Sequence, residues 1–94
     1  MKHILTEAIT HYGEKHQIAK AIEEMAELTT ELARRQNDQG LRIHLLNEIA
    51  DASIMIDQLK LIFGEELVNN IMQDKLFRLK SRMDEDKLML SGAV

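Results

Sequence analysis

Two pairs of acidic residues are spaced so that they could bind a metal ion. Glu24 and Glu27 are three residues apart, and so are Glu48 and Asp51. Residues three apart on a helix are neighbours on one face, so each pair presents two adjacent carboxylates. Four carboxylates brought together repel one another unless some are protonated or a cation binds them. A donor set of carboxylates alone, with no His or Cys, favours Mg²⁺, with Mn²⁺ as a possible substitute.

The elements that carry these pairs are predicted to be helices. Gly13, Gly40 and Gly64 divide the chain into four segments, each with apolar residues at steps of three and four. The spacing predicts helices over residues 3–11, 15–36, 41–63 and 65–88, followed by a frayed tail over 88–94. Because the chain has four Gly and no Pro, a strand-rich or loop-rich fold is disfavoured.

The fold class predicted from this pattern is all-α, an antiparallel bundle of about four helices in a single domain over residues 1–94. Short connections between long helices make sequential helices antiparallel neighbours. The third helix is apolar on nearly every side, and a chain of 94 residues has too few other helices to surround it. We therefore expect at least a dimer, with the third helix near the interface.

Antiparallel packing of the second and third helices would bring the two acidic pairs together. The number of residues between Glu27 and the loop that ends at Gly40 is about the same as the number between that loop and Glu48. One stripe of the second helix combines polar residues at steps of three and four, namely Gln17, Lys20, Glu24, Glu27 and Glu31. We expect Glu31 to be a surface continuation of the stripe, and Glu23 lies about 100° around the helix from Glu24.

Several classes of function are disfavoured by composition and motif. A carboxylate-bridged di-iron bundle needs Glu-x-x-His pairs, whereas His44 stands four residues before Glu48. The absence of Cys excludes a thiolate metal site and a Cys nucleophile. A net charge of −4 and three aromatic residues do not suit nucleic-acid binding. No apolar run is long enough to span a membrane and residues 1–7 lack a signal-peptide pattern, so we expect a cytoplasmic protein.

The two motifs together resemble a known family. Residues 22–28, Ile-Glu-Glu-Met-Ala-Glu-Leu, followed by Glu48-Ile-Ala-Asp51, resemble the ExxE and ExxD motifs of the MazG-like all-α nucleoside triphosphate pyrophosphohydrolases, particularly small phage-type members. The resemblance extends over about residues 12–82. It implies Mg²⁺-dependent hydrolysis of an NTP or dNTP between its α- and β-phosphates, which yields a monophosphate and pyrophosphate. It also implies that Glu24, Glu27, Glu48 and Asp51 bind the metal in a homodimer or homotetramer.

Basic residues are the candidates for phosphate binding, since the sequence has no Gly-rich phosphate loop. Many family members carry Lys, Asn and Arg on the fourth helix; Lys75 and Arg82 match the outer two positions, but Leu79 replaces the Asn. Arg78 shares one side of the helix with them, and Lys20 lies one turn before Glu24. The alternative for each is an ordinary solvated basic residue.

Two other functions remain open at the level of sequence. Phosphoribosyl-ATP pyrophosphohydrolase is an alternative substrate assignment within the same fold, since it shares the acidic helices. The second alternative is a non-enzymatic oligomeric helical interaction module with a vestigial acidic patch. The sequence also leaves open the nucleobase, the choice between dimer and tetramer, and whether Glu24 or Glu27 positions the attacking water.

Overall fold

The computed structural model describes residues 1–92, which contain four α-helices and no strand. They are α1 (Lys2–Tyr12), α2 (Glu14–Gln36), α3 (Arg42–Phe63) and α4 (Glu65–Leu90). The prediction of an all-α protein with four helices is confirmed, and each predicted boundary lies within two residues of the observed one. The predicted frayed tail starts too early, because α4 continues to Leu90 and residues 91–92 form a turn. Residues 93–94 of that tail lie outside the described residues.

The chain divides into two compact units. The first, Met1–Phe63, contains α1, α2 and α3, which all pack against one another. The second begins at Gly64 and contains α4. The single domain expected over residues 1–94 stays a prediction.

Gly13 alone separates α1 from α2. Its φ of +92° lies in the region that favours glycine, and this ends α1 without a longer loop. The Gly13 N–H donates to the carbonyl of Ile9 (2.8 Å), and its own carbonyl accepts from Gln17 N–H (3.0 Å). The connection that the predicted helices leave over residues 12–14 therefore contracts to one residue, and α1 can fold back against the helix that carries the first acidic pair.

The connection from α2 to α3 is a tight reversal. Asn37 Nδ2 donates to the carbonyl of Ala33 (3.1 Å), and Gln39 N–H donates to the carbonyl of Arg34 (2.8 Å). These bonds satisfy carbonyls at the end of α2 that have no partner within the helix. Gly40 follows with φ +78°, and α3 starts two residues later. The reversal makes α2 and α3 antiparallel neighbours, as predicted.

The contact between α2 and α3 contains few fully buried apolar residues and one buried polar pair. Ala21, Ala52 and Met55 are the buried hydrophobic residues. Beside them Gln17 Nε2 donates to Gln58 Oε1 (2.7 Å), and these two residues are only 5% and 3% exposed. Buried amides are costly unless hydrogen-bonded, so this pair favours one alignment of the two helices.

That alignment also positions the acidic residues. Glu24 follows Gln17 by seven residues on α2, and Asp51 precedes Gln58 by seven on α3. Seven residues are about two helical turns, so on each helix the acidic residue lies on the same face as the glutamine. In antiparallel helices, pairing Gln17 with Gln58 therefore places Glu24 opposite Asp51.

The remaining sides of α3 are not covered within the first unit. Ile49, Ile54 and Ile56 are each more than 40% exposed, although this helix is the most apolar of the four. Within the first unit, α1 and α2 do not surround α3. Coverage by a second copy stays a prediction.

Helix α4, taken by itself, has no buried residue. Its exposed large apolar residues recur at steps of three and four along much of its length, including Leu67, Ile71, Met72, Leu76, Leu79 and Met83. Lys80 Nζ pairs with Asp84 Oδ1 at 2.8 Å, which lowers the pKa of that carboxyl. Among residues 1–92, no helix combines the length and apolar character that crossing a bilayer requires.

We predict that the Gln17–Gln58 pair contributes to stability because each buried side chain provides the other with a hydrogen-bond partner. Gln17→Leu should lower the free energy of unfolding by about 1–3 kcal/mol, because it leaves the buried Gln58 amide without its partner. Gln17→Leu combined with Gln58→Leu should recover most of that loss, since neither amide then remains buried. Urea denaturation measures both, with exposed Gln36→Leu as the control. The prediction would be contradicted if the double variant lost as much stability as Gln17→Leu alone, or as much as the two single substitutions added together.

Candidate metal centre

Three carboxylates from two helices converge at the α2–α3 contact. Glu24 on α2 and Glu48 and Asp51 on α3 each have one carboxylate oxygen within 4.8 Å of the others. Two oxygens bound to one divalent cation at 2.0–2.6 Å are at most about 4–5 Å apart, so this spacing suits a shared ion. The packing of the helices thus joins one member of the ExxE pair to both members of the ExxD pair.

A second group of carboxylates lies on α2 alone. One oxygen from each of Glu23, Glu24 and Glu27 lies within 4.8 Å of the other two. Glu24 belongs to both groups, so all five carboxylates form one continuous acidic surface, which we call the acidic cluster (Glu23, Glu24, Glu27, Glu48 and Asp51). Glu24 is its central member.

Burial varies across the acidic cluster. Glu24 is 8% exposed and Glu48 is half-buried, whereas Asp51 and Glu27 are exposed. The cluster is therefore closed on the side of Glu24 and open to solvent at its edge. Such a site is accessible to a ligand from water and still removes part of the hydration that screens like charges.

Two oxygens in the cluster lack a hydrogen-bond partner within the protein. Glu24 Oε2 and Glu48 Oε2 are both buried and unpaired. Unsatisfied buried carboxylate oxygens are unfavourable, and a bound cation is one arrangement that would satisfy them. The donor set is oxygen only, which fits Mg²⁺ or Mn²⁺ and gives no thiolate or imidazole to favour Zn²⁺.

The pKa of the Glu27 carboxyl is raised above its ordinary value of 4.5. The negative charge of Glu24 is the largest cause, followed by partial loss of hydration and by the charge of Glu48. The pKa of Glu27 therefore depends on charges from both helices, although its closest acidic neighbours lie on α2.

Lys20 is the cation in contact with the cluster. Its Nζ lies 3.1 Å from Glu24 Oε1 and 3.5 Å from Glu23 Oε1. The Lys20 side chain is 43% exposed, whereas that of Glu24 is 10% exposed. The contact thus joins a partly solvated ammonium to the most buried carboxylate of the cluster.

The structure brings the four predicted metal ligands into one neighbourhood. Glu24, Glu48 and Asp51 meet across the two helices, and Glu27 joins them through Glu24. Glu23 also belongs to the cluster, more closely than its angular position on the helix suggested. Glu31 does not: its side chain is 15% exposed and pairs with Arg34 Nη1 at 3.3 Å. That these residues act as metal ligands and catalytic groups stays a prediction.

The basic residues predicted to contact phosphate belong to two different units. Lys20 is on α2, at the acidic cluster. Lys75, Arg78 and Arg82 are exposed on α4. The role of all four toward a phosphate stays a prediction.

The sequence did not reveal the polar network at the start of α2, about two helical turns from the cluster. Gln17 was recognised only as a member of the polar stripe, and Gln58 was not considered. His16 Nδ1 lies 2.7 Å from Gln17 Oε1, which only accepts, so this nitrogen carries the proton. The Tyr12 and His16 rings stack with centroids 5.1 Å apart. The equal spacing from Gln17 to Glu24 and from Asp51 to Gln58 was the available signal.

Comparison with family models, curated proteins and solved structures finds no match to this chain in any of the three.

We predict that the unfavourable contribution of Glu27 to the stability of the metal-free protein decreases as the pH falls from neutral. A carboxyl whose pKa is raised by folding contributes stability that is fully present below its unfolded pKa, near 4.5, and is lost as the pH rises through the folded pKa. Glu27→Gln should therefore be more stable than the wild type at pH 7, and the difference should shrink toward pH 4.5. Thermal unfolding in EDTA across this range measures it. A difference that does not change with pH would refute the prediction.

Proposed function

We propose that the acidic cluster is the divalent-cation site of a nucleoside triphosphate pyrophosphohydrolase. The observation that carries this proposal is the convergence of Glu24, Glu48 and Asp51 across two helices, with buried oxygens of Glu24 and Glu48 left unpaired. Exposed acidic patches are common without a ligand. A buried carboxylate that meets two others from another helix is unfavourable in the absence of a cation.

The resemblance of the two motifs to the MazG-like family supplies the reaction. In this assignment Glu24, Glu27, Glu48 and Asp51 hold Mg²⁺, or Mn²⁺ in its place. A divalent cation in such a site neutralises the triphosphate and stabilises the charge that develops in the transition state. The substrate is an NTP or dNTP, and the protein acts as a homodimer or homotetramer.

We assign the positioning of the attacking water to Glu27. It is exposed, so water reaches it, whereas Glu24 is buried and already pairs with Lys20. A carboxylate at hydrogen-bond distance accepts a proton from water as the water oxygen bonds to phosphorus. The phosphoanhydride bond between the α- and β-phosphates breaks, and the products are the nucleoside monophosphate and pyrophosphate.

Basic side chains complete the proposal. Lys20 lies beside the cluster and would contact a phosphate oxygen of the substrate. Lys75, Arg78 and Arg82 on α4 are the further candidates for phosphate contact. Leu79 stands where many family members have Asn, so any contact made by that Asn must come from another residue, for which Arg78 is the candidate.

Pyrophosphate release is the decisive assay. The full chain is incubated with each member of a panel of NTPs and dNTPs and with phosphoribosyl-ATP, in Mg²⁺ and in EDTA. Metal-dependent release with a nucleoside monophosphate as co-product supports the proposal and identifies the base. Release from phosphoribosyl-ATP alone supports the alternative substrate. No release from any member refutes an enzymatic function and favours the interaction module.

We predict that Glu48→Gln and Asp51→Asn each lower pyrophosphate release at least about 100-fold, the scale expected when a group that stabilises charge in the transition state is lost. Glu7→Gln is the matched control, because Glu7 is exposed on α1 outside the acidic cluster and should retain full activity.

Stability measurements separate this loss from misfolding. Both substitutions remove a negative charge from a repulsive cluster, so the metal-free melting temperature should stay equal or rise. Variants that become more stable and keep full activity would show that the carboxylates have no catalytic role.

A further inference from the structure

The contact of Lys20 with the acidic cluster has a consequence for metal binding. Lys20 Nζ lies 3.1 Å from Glu24 Oε1, and Glu24 belongs to both groups of carboxylates. The lysine therefore contacts the residue through which the whole cluster is connected. Its hydrogen bond to Glu24 is also the main reason why the pKa of Lys20 is raised.

Lys20 supplies the positive charge of the metal-free cluster. Two of the ion pairs described for residues 1–92 involve the cluster. Lys20 makes both of them, one with Glu23 and one with Glu24. The other buried oxygens, Glu24 Oε2 and Glu48 Oε2, have no partner. One ammonium thus partly offsets five carboxylates.

An ammonium and a divalent cation compete for the same carboxylate oxygens. Both are positively charged, so they are attracted by the same carboxylate oxygens and repel each other at close range. The lysine is the occupant that can leave, because its stem is flexible and 43% of its side chain is already exposed. A released lysine one turn from Glu24 keeps its charge next to the site and suits phosphate oxygens.

We propose that Lys20 is an exchangeable counter-ion: it holds Glu24 in the metal-free protein, leaves that oxygen when a divalent cation binds, and then contacts the phosphate of the substrate. This inference rests on the proposed function, because it requires the cluster to be a cation site. In this role Lys20 positions Glu24, opposes the binding of the divalent cation and favours the binding of the phosphate.

The test compares wild type with Lys20→Met, which keeps the apolar stem and removes the charge. Calorimetric titration of the metal-free full chain with Mn²⁺ should show about two- to five-fold tighter binding by Lys20→Met, the range set by loss of a partly exposed ion pair. Titration with pyrophosphate at saturating Mg²⁺ should show weaker binding by the same variant. Lys15→Met is the control, because it removes one charge from an exposed position of α2 outside the described ion pairs.

Thermal unfolding adds a second readout, because it compares the two proteins without and with the cation. In EDTA the Lys20→Met variant should melt below the wild type, and saturating Mg²⁺ should close the difference, since the lysine no longer holds Glu24. A difference that persists unchanged in Mg²⁺ would mean that Lys20 is a static structural ion pair and would overturn the proposal.

The outcomes separate this inference from the proposed function. Wild type that binds no Mn²⁺ refutes the cation site, and the role of Lys20 falls with it. Wild type that binds Mn²⁺, together with Lys20→Met that binds it equally or more weakly, refutes the exchange alone. Tighter binding by Lys15→Met to the same extent would assign the effect to net charge and also refute the exchange.

Discussion

The alignment of α2 against α3 is the constraint on which the rest of the first unit depends. The fully buried apolar residues of these two helices are two alanines and one methionine, which have little shape to select a register. The buried Gln17–Gln58 hydrogen bond supplies that selection, since a slip would leave Gln17 Nε2 and Gln58 Oε1 buried without each other. The same alignment forces Glu24 against Glu48 and Asp51. The acidic cluster is thus a by-product of the geometry that makes the helix pair specific.

The α2–α3 interface therefore combines an attractive hydrogen bond between glutamines with repulsion between carboxylates. About two turns from the glutamine pair, the helices hold carboxylates at distances where like charges oppose folding. Lys20 offsets this repulsion only in part, and two oxygens stay unsatisfied. Protonation of a carboxyl or binding of a cation would each relieve the repulsion that Lys20 leaves.

The sequence predicted the helices well because their signals are local. Glycines at 13, 40 and 64 and apolar residues at steps of three and four defined four segments to within two residues. The meeting of Glu24 with Glu48 and Asp51 was also accessible, since a short loop between antiparallel helices fixes their relative depth. What the sequence did not reveal depends on side-chain rotamers: which way Glu23 turns, that Glu31 folds onto Arg34, and that Lys20 reaches Glu24. These outcomes depend on competition among several nearby partners, which spacing alone does not resolve.

The seven-residue intervals in α2 and α3 have a consequence for substitution. Gln17 and Glu24 on α2 are as far apart in sequence as Asp51 and Gln58 on α3. The residues that align the two helices and form the cluster therefore all lie in two short segments, 17–27 and 48–58. The reversal at residues 37–41 joins them but contributes no carboxylate to the cluster. Substitutions within that reversal would thus leave every carboxylate of the cluster in place, as long as its length still sets the depth at which α2 and α3 meet.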